Sequence, residues 1–176
     1  MKPRGQLMIE HRLIEKMLKA IQNQLSIIAE QNRVDPIFVD TVVDFVKIYA
    51  DRTHHGKEED ILFRDLSTKR LTPEDKKTMA ELIEEHEFGR QVTFDLVKAG
   101  KDYRNGRVEA LQTIVEKLSL LKEFYPKHII KEDKIFFPNT EQYFSQEEQE
   151  KMLDEFREFD RKMIHEKYIS IVENMK

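Results

Sequence analysis

Six histidines and no cysteine define what chemistry this chain can do. Without thiols there is no disulfide, iron–sulfur cluster, thiolate zinc site or thiol nucleophile to consider. Four of the histidines, His11, His54, His86 and His128, are joined by two carboxylates at a fixed offset, in His54-x-x-x-Glu58 and His128-x-x-x-Glu132. On an α-helix, residues four apart differ by about 40° in azimuth and about 6 Å in height, so each pair can approach one metal ion from the same side. Nitrogen and carboxylate donors without sulfur suit iron, manganese or zinc. Two carboxylates for four histidines suit two metals, because each carboxylate can bridge.

Both pairs lie in an internal repeat. Residues 54–63 and 128–137 each read His-x-x-Lys-Glu followed by an acidic residue, with Ile three and Phe five residues after the Glu. The repeat aligns His54 and Glu58 with His128 and Glu132, and leaves the equally spaced His55 and Glu59 outside. Helical faces agree: His54 shares its side with Val43, Ala50 and Ile61, whereas His55 shares its side with Asp44, Asp51 and Arg52. Other templates fail. Position 90 is Arg and position 169 is Ile, so neither His86-Glu87 nor His165-Glu166 completes a zinc-protease HExxH. The Glu-x-x-His pair of ferritin-like di-iron bundles is absent, as are a glycine-rich phosphate loop and a nucleophile elbow.

The elements that must position these residues are long helices. Gly and Pro number five each in 176 residues, and 36% of residues are charged, so turns are few and outer faces strongly polar. Leu7, His11, Ile14, Leu18, Ile21, Leu25 and Ile28 alternate steps of four and three, predicting a first helix over about 7–31. Asp35-Pro36 starts a second helix reaching about Phe63, and Thr72-Pro73 a third reaching about Lys101. Asn105-Gly106 is a turn, after which a fourth helix runs from about Arg107 to Phe137, with Pro126 as a bend and Pro138 as a stop. Ser145-x-x-Glu148 opens a fifth helix. The expected fold is all-α: one domain, an up-down four-helix bundle over about 7–138 with an additional C-terminal helix over about 145–175. His11, His86 and His128 each take a stripe position where leucine would be expected. Counted from the turns, His11, His54 and His86 meet at one level, while His128 sits about 7 Å off level from His86.

The charge of −4, from 30 basic and 34 acidic residues interspersed along the chain, argues against nucleic acid. No apolar run reaches membrane-spanning length, and residues 1–7 lack a secretory core, so the expected location is cytoplasmic.

The ordered set His11, His54-x-x-x-Glu58, His86, His128-x-x-x-Glu132 resembles the hemerythrin-like proteins of the HHE cation-binding group, over about residues 7–138. The resemblance implies two non-haem iron ions, in preference to manganese or zinc, bridged by Glu58 and Glu132. It implies an open iron position for oxygen, nitric oxide or peroxide, used in sensing, storage or stress response. The alternative is an enzyme that reduces peroxide or nitric oxide, or an iron donor in iron–sulfur repair. Oxygen-carrying members have two histidines four apart on the third helix; here the partners of His86 would be Leu82 and Arg90. The fifth nitrogen is then either absent, or supplied by His55, since some hemerythrin-like iron sensors use that adjacent position, or by His165 on the fifth helix. Gly89, Tyr49 and Tyr125 are candidates for shaping a ligand pocket.

Overall fold

A computed structural model describes residues 2–173, which form helices and short turns with no strand among them. Helix α1 spans Pro3–Gln31, starting a turn before the Leu7 stripe because Pro3 occupies the first helical position, where its missing N–H is no loss. Asn32 ends it in the left-handed region (φ 50°), donating its N–H to the Ile28 carbonyl at 2.8 Å. Helix α2 covers residues 36–67, running one turn past the expected Phe63. Asp35 caps it by accepting the Ile37 N–H at 2.9 Å. Helix α3 is Pro73–Arg104, capped by Thr72 accepting the Asp75 N–H at 3.1 Å. Helix α4 covers residues 110–140, and α5 is Gln146–Glu173. Ser145 and Glu148 form a capping box at the start of α5: each accepts the other's backbone N–H, at 2.8 and 3.2 Å.

Two expectations about α4 are corrected. Pro138 does not stop the helix; it lies inside the final turn Phe137–Thr140, directly after a stretch of wider i→i+5 bonding over Glu132–Phe136. Nor is His128 off level. Helix α3 continues to Arg104 and α4 starts at Ala110, so His86 and His128 each stand 18 residues from the connection. Three residues misassigned at each end account for the apparent offset. Pro126 lies within the continuous helical run Ala110–Lys131.

Helix α1 packs on α2 and α4, and α3 on α2 and α4, while α5 lies across α1 and α2. The interior divides into two apolar clusters. One contains Ile14, Ala50, Val92 and Tyr125; the other contains Leu7, Ile61, Leu82 and Phe136, and takes in Met152 and Phe156 of α5. Each of the first four helices crosses from one cluster to the other within a few residues. A histidine stands between the two clusters on α1, α2 and α3 (His11, His54 and His86), and on α4 His128 lies beside Ile129, the last residue of the first cluster, with Glu132 at the crossing itself. The polar layer is thus sealed by hydrocarbon above and below. Among the described residues, no helix is long and apolar enough to cross a membrane.

Candidate metal centre

Five of the six histidines and both motif glutamates are buried in this layer, none more than 2% exposed. They form two adjoining groups. His11, His54, Glu58 and Glu132 bring one donor atom each within 4.8 Å of one another, and so do His55, His86 and His128. Glu58 spans the two, with Oε1 3.5 Å from His54 Nε2 and Oε2 3.4 Å from His86 Nε2. Glu132 does the same: Oε2 is 3.1 Å from His11 Nε2 and Oε1 is 3.2 Å from His128 Nε2.

His55 is therefore not the surface residue its helical face suggested. Its side of α2, shared with Asp51, is covered by α3, and its ring stacks on His86 with centroids 3.9 Å apart. His54 faces α1 and His55 faces α3, so neighbours on one helix serve opposite sides of the layer. The local backbone contributes: Phe45–His55 and Glu58–Phe63 bond i→i+5, a wider turn than the α geometry assumed from spacing. His165 is exposed on α5 and belongs to neither group. The α5 residues that meet the bundle at this level are Phe159 and Asp160 instead.

A further set of residues carries no signal in the stripe analysis. Each histidine has a carboxylate at Nδ1. His11 donates to Asp133 at 2.8 Å, His54 to Glu10 at 2.8 Å, His86 to Glu59 at 2.6 Å and His128 to Glu85 at 2.7 Å. Asp51 stands 3.4 Å from His55 Nδ1. An ionised carboxylate only accepts, so the four hydrogen bonds place a proton on Nδ1 of His11, His54, His86 and His128 and turn each Nε2 to the centre. Every one of these carboxylates is in turn held by a cation: Arg12 on Asp133, Lys57 on Glu10, Arg90 on both Glu59 and Asp51, Lys131 on Glu85. The sequence did hold a sign of them. Glu-His occurs at Glu10-His11 and Glu85-His86, and an acidic residue follows each motif glutamate.

The innermost atoms are left without partners. Both nitrogens of His55, Nε2 of His86 and His128, and all four oxygens of Glu58 and Glu132 are buried with no hydrogen bond. A buried unsatisfied polar atom costs about 1–3 kcal/mol, and more if charged, so such a concentration needs a counterion. Protons fill the role when nothing else does. Burial pulls the His11 pKa down, but the hydrogen bond with Asp133 and the nearby carboxylate of Glu132 outweigh it and hold it at about 9. His128, likewise opposed by burial, is raised to about 10 by the charge of Glu132 and by its hydrogen bond with Glu85. Burial and the charge of Glu132 push Glu58 well above the usual carboxylate range. Burial lowers His54 to about 4 and His55 further below its ordinary value. The donor set, the inward lone pairs and the unpartnered carboxylates fit bound cations.

Aromatic rings close the layer. Phe137 stacks on His11 (centroids 5.9 Å, planes 9° apart) and Phe63 on His86 (6.0 Å, 7°). These are the phenylalanines of the repeat, each lying against the histidine on the first helix of the opposite hairpin. A cavity of about 500 Å³ between α2 and α3, lined by Val46, Asp51, His55, Gly89, Phe94 and Tyr125, reaches the His55 side. Gly89 leaves no tight gap there, since a Cβ would lie an ordinary 3.5 Å from Phe124. Burial raises the Tyr125 hydroxyl above its ordinary pKa, keeping it protonated. Tyr49 lies on the other side of α2, lining a separate cavity with Glu10 and Asp160.

The family model described as hemerythrin HHE cation binding domain matches residues 3–140. No curated protein and no solved structure matches the chain.

Proposed function

The chain belongs to the hemerythrin HHE cation-binding domain family, and from that premise we propose that it holds two iron ions and binds a small ligand beside them. His11 and His54 would hold one ion and His55, His86 and His128 the other, with Glu58 and Glu132 placed to reach both groups. What carries this reading is the convergence of unpartnered buried atoms from five residues on one sealed layer. Imidazole and carboxylate donors without sulfur suit iron, manganese or zinc, and the family resemblance favours iron among them. The same reading takes α1–α4 as an up-down four-helix bundle with α5 appended; the ring of helix contacts and the common level of the histidines support it.

Bound iron supplies an open coordination position and a redox couple for oxygen, nitric oxide or peroxide. The chain's own residues do the rest. The Nδ1 carboxylates fix each imidazole's orientation and basicity. Phe63 and Phe137 exclude water from one side. The cavity beside His55 offers a ligand of a few atoms a way in, and Tyr125, holding its proton, is a donor at its inner end. Binding, for sensing, storage or stress response, is the first reading, and reduction of peroxide or nitric oxide, or iron donation, is the alternative. Anaerobic titration with ferrous iron tests the reading, followed by optical spectra on exposure to oxygen or nitric oxide; rapid consumption of peroxide or nitric oxide would reassign the protein as an enzyme.

A further inference from the structure

The two hairpins repeat each other more fully than their ligands require, and they differ at one place. On α1 and α3, Gln6, Leu7, Glu10 and His11 correspond to Glu81, Leu82, Glu85 and His86. On α2 and α4, His54, Lys57 and Glu58 correspond to His128, Lys131 and Glu132. In the α3–α4 half, Lys131 donates to Glu85 at 2.5 Å and to Glu81 at 3.2 Å, both on α3. In the α1–α2 half, Lys57 donates to Glu10, but the position of Glu81 is taken by the uncharged Gln6. The second carboxylate comes instead from α5: Asp160 Oδ1 accepts from Lys57 at 2.6 Å, and its Oδ2 accepts from Gln6 Nε2 at 3.0 Å.

The rest of the contact is shaped for α5. A Cβ on Gly56 would lie 2.7 Å from the tip of the Phe159 ring, so a larger residue there would displace that ring. The corresponding residue on α4 is Ile130, which is 58% exposed. Ile61 is buried at 4% under α5, while its counterpart Ile135 is 49% exposed. Residues 56 and 57 thus meet residues 159 and 160, and Lys57 ends with no exposed surface. The family match stops at residue 140, before α5 begins.

We infer that Asp160 is a positioning residue of the metal centre, acting through Lys57 and Glu10 on His54, so that docking of α5 and loading of the His11–His54 half are coupled. This rests on the metal-binding reading above. Coupling of binding equilibria is reciprocal: loading holds α5 down, and whatever lifts α5 weakens that half of the centre and leaves the α3–α4 half, with its own Glu81, unaffected.

The test uses the full chain and ferrous iron alone, titrated anaerobically against a competing chelator. In Asp160→Asn, one of the two iron equivalents weakens by roughly tenfold, the scale of losses around metal ligands, and the other is unchanged. Adding Gln6→Glu restores the weakened equivalent, because it supplies from α1 the carboxylate that α3 carries at Glu81. A merely structural α5 would not be rescued in this way. In the unsubstituted chain, iron raises hydrogen-exchange protection of residues 146–173, and this does not depend on any variant folding. Unchanged affinity in Asp160→Asn, a loss that Gln6→Glu fails to rescue, or no iron-dependent protection of α5 each overturns the inference while leaving the centre intact. Failure of the unsubstituted chain to bind iron overturns both.

Discussion

His11 Nε2 and His54 Nε2 face each other at 2.8 Å, across helices α1 and α2. Each ring is already committed through Nδ1, to Asp133 and to Glu10, so both inner nitrogens aim at one point. Two such donors are compatible only through a proton or a cation between them. With Glu58 and Glu132 against the same point, a divalent ion satisfies what one proton cannot.

The two carboxylates divide their oxygens between the groups, and this sets a first expectation. Glu58→Gln and Glu132→Gln each weaken or abolish magnetic coupling between two bound irons, read by low-temperature magnetic susceptibility. Coupling of unchanged strength in both variants would remove the bridging role.

His55 distinguishes the geometry from spacing alone. The repeat aligned His54 with His128 and left His55 aside, which implied that its loss would be mild. Its burial with His86 and His128 now predicts that His55→Ala loses about one iron per chain, as His128→Ala does, because a site stripped of one of few ligands holds its ion poorly. His165→Ala, on the exposed face of α5, loses none. Elemental analysis of the purified variants decides; full iron in His55→Ala would return that residue to packing.

The outer carboxylates are the third expectation. Asp133→Asn, Glu59→Gln and Glu85→Gln leave the inner donors in place but loosen a ring each. Iron affinity in each falls by about 10–100-fold, with helicity by circular dichroism unchanged. Affinities equal to the unsubstituted chain would show that the rings are oriented by packing alone.

Acidity gives a fourth. With His11 at about 9 and Glu58 raised by burial, the metal-free centre carries protons at neutral pH that iron must displace. Affinity for iron therefore rises as pH increases from about 6 to about 9, and loading at pH 7 releases protons into a lightly buffered indicator dye. Proton-free, pH-independent loading would contradict this.

Much of this arrangement could be read before any coordinates. Proline and N-cap signals located the helix starts within a few residues, and the stripe positions of His11, His86 and His128 marked one interior layer. The repeat was visible whole, but only part of its meaning was. Its lysine, its second acidic residue and its final phenylalanine act across the bundle, on Glu10 and Glu85, on His86 and His11, and those long-range partners have no signature in local spacing. The face of His55 was misread because Asp51 beside it suggested solvent, whereas Arg90 of α3 covers that carboxylate at 2.8 Å. The i→i+5 stretches at both motifs escaped for a related reason: nothing in the apolar period distinguishes a widened turn. Asp160 was hidden among the charges of α5, most of which do face water.

The buried histidine–glutamate layer is proposed as a two-metal site. Its most direct test is iron content by elemental analysis after anaerobic reconstitution, with optical spectra before and after oxygen. About two irons per chain, with charge-transfer bands that appear on oxidation, is the expected result. A chain that takes up no iron, and no other divalent metal, would contradict it and leave the buried histidines and glutamates as packing.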